Sequence, residues 1–217
     1  MSLQKNTTTL VIADDHPMLL KGLYEELVEH GYKVVARCDN GMKALGAIIQ
    51  YRPSIALLDI DMPLLTGFDV IKMARDKGVE TKFIVLSFHK EPEYIVQAKT
   101  LQIDGYLLKE DSFFEIEKCI ETVLQGKECF SKSFQNKALE NADSELNKIS
   151  LLTPSEKTIL KMIANDIDSH DIAEQLSVSI RTVEKHRSNI ISKLELPAGT
   201  NSLMKWALTN KNIILEL

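Results

Sequence analysis

The first part of the chain is predicted to be an α/β domain, a parallel sheet with helices on both faces. The last part is predicted to be all-helical. Three observations predict this. Short apolar runs alternate with helically periodic segments five times within about 125 residues, as repeated strand–helix units do. The pattern then loosens into a polar stretch rich in Ser, Asn and Lys. Beyond residue 150 no strand pattern recurs.

The elements follow in order. TLVIA (9–13) is a buried strand. PMLLKGLYEELVEH (17–30) has helical spacing, with Pro17 where a first turn tolerates it and Gly31 as a stop. KVVARC (33–38) is a strand and GMKALGAIIQY (41–51) a helix. SIALLD (54–59) is a third strand, and FDVIKMARDK (68–77) a helix closed by Gly78. KFIVLS (82–87) is a strand, EPEYIVQAKTL (91–101) a helix, DGYLLK (104–109) a strand and SFFEIEKCIETVLQG (112–126) a helix.

In the last part Thr153 caps a helix, with Pro154 in its first turn and Glu156 near its positive end. Ile159, Leu160, Ile163 and Ala164 form its apolar stripe. A short helix over 169–176 turns Ile172, Ala173 and Leu176 inward. SVS (177–179) is a tight connection, and Ser179 caps a third helix that runs to Leu194. Its inward face is Val183, Ile190, Ile191 and Leu194; its outward face holds Arg181, Glu184, Lys185, Arg187, Ser188 and Lys193. NSLMKWALTN (201–210) is a fourth helix capped by Asn201. Turns are expected near 165–168, 177–179 and 197–199.

The chain has 217 residues, enough for two domains, with 44% apolar and 26% charged residues. A net charge of −5 leaves any nucleic-acid binding to a local patch. Cys38, Cys119 and Cys129 are scattered without metal-ligand spacing and are expected to be idle thiols in a reducing compartment. MSLQKNTTTL lacks the pattern of a secretory signal. No apolar run approaches the roughly 18 residues of a membrane helix. A cytoplasmic protein without membrane association is expected.

Polar residues end the apolar runs where an open parallel sheet binds ligands, beyond the carboxyl ends of its strands. Strand one ends in Asp14 and Asp15, strand three in Asp59, strand four in Ser87 and strand five in Lys109. If the strand order is 2-1-3-4-5, Asp14, Asp15 and Asp59 share a crevice. Three carboxylates there repel each other, and a hard divalent cation, best Mg²⁺, offsets this. Ser87 is one strand from Asp59. Lys109 is two strands away, roughly 10 Å at the backbone, which only a long side chain spans. The set suits phosphoryl transfer with a carboxylate nucleophile, and Asp59 ends the central strand. Taken singly, each residue has a plainer reading: a solvated turn, a helix cap or a surface charge. Their joint placement at successive strand ends favours the site.

ADDHP, LLDIDMPLLTG, VLSFH and DGYLLK resemble the receiver domain of bacterial two-component response regulators, over residues ~8–127. The resemblance implies the five-stranded doubly wound sheet of order 2-1-3-4-5. It implies that Asp59 accepts a phosphoryl group from a sensor histidine kinase. Asp14, Asp15 and Asp59, with the backbone carbonyl of Asp61, would hold Mg²⁺. Ser87 and Lys109 would take phosphoryl oxygens, and Tyr106 would change rotamer with Ser87. Two residues depart from the family pattern. Glu110 follows the lysine where Pro is common, and Phe88 stands where a small residue is usual. The Phe88 ring is expected to slow exchange with small phosphodonors and water.

Two helices joined by so short a turn suggest helix-turn-helix. Over 151–217 eight Lys/Arg balance eight Asp/Glu, yet Arg181, Lys185, Arg187 and Lys193 against Glu184 leave +3 on the third helix. A neutral domain with one basic helix suits groove docking and phosphate contact. A solvated basic face is the alternative. IAEQLSVSIRTVEKHRSNIISKL resembles the LuxR-type helix-turn-helix, over residues ~150–215. The two domains together resemble a NarL/FixJ-type response regulator. The resemblance implies double-stranded DNA as a partner, with the third helix in the major groove. Glu184, Lys185 and Ser188 would read bases. Arg181, Thr182, Arg187 and Asn189 would touch phosphates, and Lys193 belongs to the same DNA-binding set. His186 is either packed or a DNA contact. The fourth helix, with Leu203 and Trp206, would be a dimer surface, so a homodimer is expected on phosphorylation.

The expected organisation is a receiver over 1–127, a linker over 128–150 and a four-helix DNA-binding domain over 151–217. The expected function is a phosphorylation-controlled transcription factor, not an enzyme. DIDMP (59–63) also resembles the Asp-x-Asp loop of haloacid-dehalogenase-type phosphatases, but Pro63 stands where Thr or Val belongs. A constitutive DNA-binding protein with an inert receiver is the other alternative.

Overall fold

The structure, a computed structural model, describes residues 7–134, 144, 147–197 and 201–215. The first six residues, about half of the expected linker and the Ala198–Gly199 part of the last expected turn lie outside them. The chain divides into two compact units, Met1–Glu91 with Leu101–Gln135 and Pro92–Thr100 with Asn136–Leu217.

The α/β elements are β1 (Thr9–Ala13), α1 (Pro17–Glu29), β2 (Lys33–Cys38), α2 (Gly41–Tyr51), β3 (Ile55–Asp59), α3 (Gly67–Asp76), β4 (Lys82–Ser87), α4 (Pro92–Thr100), β5 (Gly105–Leu108), α5 (Phe113–Leu124) and β6 (Cys129–Phe130). The strand order is β2-β1-β3-β4-β5-β6 and every ladder is parallel. The first five positions agree with the expected order. The sixth strand falls inside the stretch read as linker. Two residues carry no periodicity, so what holds them is pairing. Cys129 N donates to Asp104 O (3.0 Å) and Ser131 N to Tyr106 O (2.8 Å).

Strand alternation sorts the core onto two faces. Leu10, Ile12, Ile55, Leu57, Ile84, Leu86 and Leu107 pack with Leu27 of α1 and with Ile116, Cys119, Ile120 and Val123 of α5. Each fully buried Ile or Leu here is worth about 1.5–3 kcal/mol over its exposed state. Val11, Ala56, Leu58, Phe83, Val85 and Tyr106 have the opposite parity and are also buried. Asp14, Asp59 and Lys109 continue the first parity, so the sequence spacing itself aims them toward the α1–α5 side of the sheet edge.

The helical elements are α6 (Pro154–Ala164), α7 (Ser169–Gln175), α8 (Ile180–Lys193), α9 (Ser202–Thr209) and α10 (Lys211–Leu215). α6 begins with a full capping box. Thr153 N donates to Glu156 Oε2 (2.8 Å), while Glu156 N donates to Thr153 Oγ1 (3.4 Å). Asp168 caps α7, and Ser179 caps α8 by accepting from Thr182 N (3.1 Å). Ser177 takes φ +53°, and Val178 N donates to Ala173 O (2.9 Å), which closes the tight turn before α8. Ile159, Ile163, Ile172, Val183, Ile190, Leu194, Leu203 and Ala207 are buried in this unit. Two details differ from expectation. Asn201 makes no side-chain cap on α9, because its backbone (φ −126°, ψ 12°) is not the extended conformation a capping side chain uses. A further helix, α10, follows α9, too short for periodicity to reveal.

Candidate functional site

The crevice forms at the carboxyl ends of β1, β3 and β5. Asp59 ends β3 with 2% exposure, and Asp14 follows β1 with 7%. Lys109 spans the gap that backbone spacing leaves open. Its Nζ lies 2.7 Å from Asp59 Oδ2 and 2.8 Å from Asp14 Oδ2. One buried ammonium thus joins two buried carboxylates. Burial pushes the Asp59 carboxyl above the usual carboxylate range, Lys109 opposes this, and the Asp14 charge adds to it. Burial pulls the Lys109 ammonium down, but its hydrogen bonds to Asp14 and Asp59 outweigh that and hold it above its usual value.

Asp14 is held from its own turn, where His16 N donates to its Oδ1 (2.8 Å). His16 Nδ1 lies 2.8 Å from Asp15 Oδ1 and 3.2 Å from Asp14 Oδ1. The sequence reading did not name His16; its place in ADDHP was the available signal. Asp14, Asp15, His16 and Asp59 offer ligand atoms within 4.8 Å of one another. Asp15 Oδ1 is buried and makes no hydrogen bond. His16 Nδ1 touches that oxygen without hydrogen-bond geometry, and three carboxylates gathered this closely form an oxygen-donor set that fits a hard cation.

Gly67 positions Asp59, and sequence reasoning missed its role. A Cβ on Gly67 would stand 2.2 Å from the Asp59 carbonyl oxygen. Gly67 N donates to Ile60 O (2.9 Å), and Thr66 and Asp69 form a capping box around it. The β3–α3 turn therefore packs backbone on backbone behind Asp59, which only glycine permits.

The other expected residues line the rim. Ser87 is fully buried, and its Oγ accepts from His89 N (3.1 Å). The Asp61 side chain is turned outward, with its Oδ2 2.7 Å from His89 Nε2. Tyr106 is fully buried, donates to His89 O (3.1 Å) and meets the Phe134 ring edge-on at 5.2 Å. Phe88 is 60% exposed, and its ring lies 5.1 Å from Lys109 Nζ. It therefore borders the same ammonium that reaches Asp59. Lys90 Nζ pairs with Glu110 at 2.6 Å.

On α8 the residues Arg181, Glu184, Lys185, Ser188 and Asn189 are exposed. Thr182 is half-buried, with its Oγ1 2.8 Å from Ser179 Oγ. Arg187 is half-buried beside Glu184 (3.8 Å), and Ser188 Oγ donates to Glu184 O (3.0 Å). Lys193 is not on the free face. Its Nζ pairs with Glu156 Oε2 at 2.7 Å, and Glu156 is only 2% exposed, because a carboxylate buried under α8 draws in the nearest cation. His186 Nδ1 is buried without a hydrogen bond. On α9, Leu203 faces the core and Trp206 is half-buried, while Leu208, which the sequence reading did not name, is exposed. No helix among the described residues is long and apolar enough to cross a membrane.

Both parts of the chain match known families. Residues 10–121 match the response regulator receiver domain family, and residues 150–205 match the bacterial regulatory proteins of the luxR family. The chain is 31% identical over 189 residues to a nitrate/nitrite response regulator protein homolog of Haemophilus influenzae, covering 86% of this chain and 90% of that one. It is 31% identical over 189 residues to the transcriptional regulatory protein DesR of Bacillus subtilis, covering 87% and 90%. A crystal structure of a LuxR-family DNA-binding response regulator from Staphylococcus aureus superposes with a TM-score of 0.52 at 36% identity, over 54% of this chain and 98% of that one.

Proposed function

The chain belongs to the response regulators that join a receiver domain to a LuxR-type DNA-binding domain, and on that premise we propose that Asp59 is its phosphoacceptor. The observation that carries this reading is the Lys109 ammonium bridging Asp59 and Asp14. In the transfer, an Asp59 oxygen attacks the phosphorus of a phosphohistidine on a sensor kinase. The N–P bond breaks and an acyl phosphate forms. Lys109, already within hydrogen-bond reach, then exchanges a carboxylate partner for a phosphoryl oxygen. The Ser87 hydroxyl leaves the His89 amide to take another, and Tyr106 turns with it. Asp14, Asp15 and Asp59, with the Asp61 backbone carbonyl, would hold Mg²⁺. Held there, the ion would supply positive charge against that building on the phosphoryl oxygens.

The receiver runs through β6, the DNA-binding domain covers 151–217, and the residues between connect them. α8 enters the major groove of double-stranded DNA. Glu184, Lys185 and Ser188 face bases, and Arg181, Thr182, Arg187 and Asn189 face phosphates. Lys193 is assigned to holding α8 on Glu156 instead. Trp206 on α9, with its exposed neighbour Leu208, supplies the dimer surface, while Leu203 supports it from within. Phosphorylation shifts an existing equilibrium toward the DNA-binding dimer. The reading is that of a regulator acting in the cytoplasm, whose phosphoryl chemistry is on its own aspartate.

The test is selection of DNA fragments by wild type and Asp59→Asn, each with and without a small phosphodonor. Enrichment of one sequence class by wild type, increased by phosphodonor only when Asp59 is present, is the expected result. Equal enrichment in all four arms refutes phosphorylation control. No enrichment in any arm refutes DNA binding.

A further inference from the structure

Two thiols that spacing in the sequence leaves unrelated meet at the edge of the sheet. Cys119 is on α5 and Cys129 on β6. Register explains the meeting. Cys129 is the ladder partner of Gly105, so their side-chain directions lie side by side on one face. Gly105 has no side chain, and Cys119 Sγ fills the space above it: a Cβ on Gly105 would stand 2.9 Å from that sulfur. Cys119 Sγ also lies 3.9 Å from the Cys129 carbonyl oxygen. The Cys129 side chain therefore projects beside the Cys119 sulfur.

Packing alone accounts for Cys119, a fully buried small apolar side chain. It does not account for a second thiol at the one adjacent ladder position, half-buried where solvent reaches it. The pair is also chemically polarised. A hydrogen bond from the Cys119 thiol holds Cys129 below its ordinary value against its own burial, and the same bond pushes Cys119 up. The more accessible sulfur is thus the readier thiolate, and the buried one lies next to it.

We infer that Cys119 and Cys129 form a reversible intramolecular disulfide, which makes this sheet edge a site of oxidative modification by hydrogen peroxide. The Cys129 thiolate attacks one peroxide oxygen, the O–O bond breaks, and hydroxide leaves and takes up a proton to become water. Cys129 is then a sulfenic acid. The Cys119 sulfur gives up its proton and attacks the Cys129 sulfur. The S–O bond breaks and a second water departs. Two electrons pass from the two thiols to the peroxide, and a dithiol reverses the change.

The disulfide ties β6 to α5. Phe130, the next residue of β6, is the ladder partner of Tyr106, and Ser131 N donates to Tyr106 O. Phe134 then packs its ring on that of Tyr106. Oxidation therefore fixes the segment seated against Tyr106.

The test uses the full chain, treated with hydrogen peroxide, alkylated and digested with trypsin without reduction. Cleavage after Lys118, Lys127 and Lys132 gives peptides 119–127 and 128–132, one cysteine in each. The expected product is the two joined, two hydrogens lighter than their sum and lost on dithiothreitol, with Cys38 alkylated throughout. Full alkylation of both thiols after peroxide overturns the proposal. So does linkage through Cys38 or between two chains. In Cys119→Ala, dimedone is expected to trap a sulfenic acid on Cys129 that does not accumulate in wild type. Hydrogen exchange of the 129–134 amides is expected to slow on oxidation; unchanged exchange refutes the clamping of β6.

Discussion

Gly67→Ala is the sharpest test of how the turn behind Asp59 works. The added Cβ would sit 2.2 Å from the Asp59 carbonyl oxygen, 3.1 Å from the Asp59 carbonyl carbon and 3.3 Å from Ile60 Cα. Ordinary contact begins near 3.4 Å, so something must move by about 1.2 Å. All three neighbours are backbone, so no rotamer change relieves the clash. Overpacking of this kind costs about 1–3 kcal/mol. In a domain of this size that lowers Tm by roughly 4–12 °C. A displacement of about 1 Å at a reacting group costs on the order of 10²-fold in rate. Thermal melting and Phos-tag electrophoresis after timed exposure to acetyl phosphate would read both effects. Gly46→Ala is the control. Gly46 is inside α2 with nothing within 4 Å of its Cβ position, so alanine there is expected to stabilise by about 0.5–1 kcal/mol. The reasoning fails if Gly67→Ala melts and phosphorylates like wild type, or if Gly46→Ala is equally harmful.

Phe88→Ala removes the ring beside Lys109 and is expected to speed both phosphorylation by acetyl phosphate and loss of the phosphoryl group; unchanged rates would show that the ring is no barrier. Asp59 has its folded value raised by burial, so its ionisation costs stability as pH rises above the unfolded value near 3.9 and through the folded one. Asp59→Asn is therefore expected to melt higher than wild type at pH 7 in EDTA, with Mg²⁺ closing the gap; an equal or lower Tm in EDTA would contradict this. Lys193→Met leaves the Glu156 carboxylate buried without its cation, and with Lys193 about a third exposed the expected cost is about 1–2 kcal/mol in melting of the C-terminal unit. Burial pushes Glu156 up, but Lys193 and Thr153 hold it below its usual range, so that stabilisation is present above pH about 4.3 and lost as pH falls through the lower folded value. The two melting curves should converge in acid; a constant difference down to acid pH would exclude the ion pair as its source.

Local chemistry made much of this protein legible. The β1–α1 through β5–α5 alternation follows from period-2 and period-3.6 burial, each readable in a window of a few residues. Thr153, Asp168 and Ser179 cap their helices because capping needs only a side chain and amides two or three residues on. Asn201 shows the limit of that rule, since the same residue type fails when the backbone takes another conformation. Lys193 shows a second limit. Helical spacing turns it outward, but Glu156, 37 positions earlier, turns its ammonium back.

Strand periodicity alone shows which residues end each strand, and hence that Asp14, Asp59 and Lys109 belong to one sheet edge. Their shared parity is a property of the strand repeat and needs no tertiary information. Long-range packing brings Lys109 onto both carboxylates, Gly67 against the Asp59 carbonyl, and Cys129 beside Gly105 beneath Cys119. Each of those contacts depends on the register and approach of segments far apart in the chain. Register is set by the sum of many side chains packing across the sheet, and no short window of sequence contains that sum.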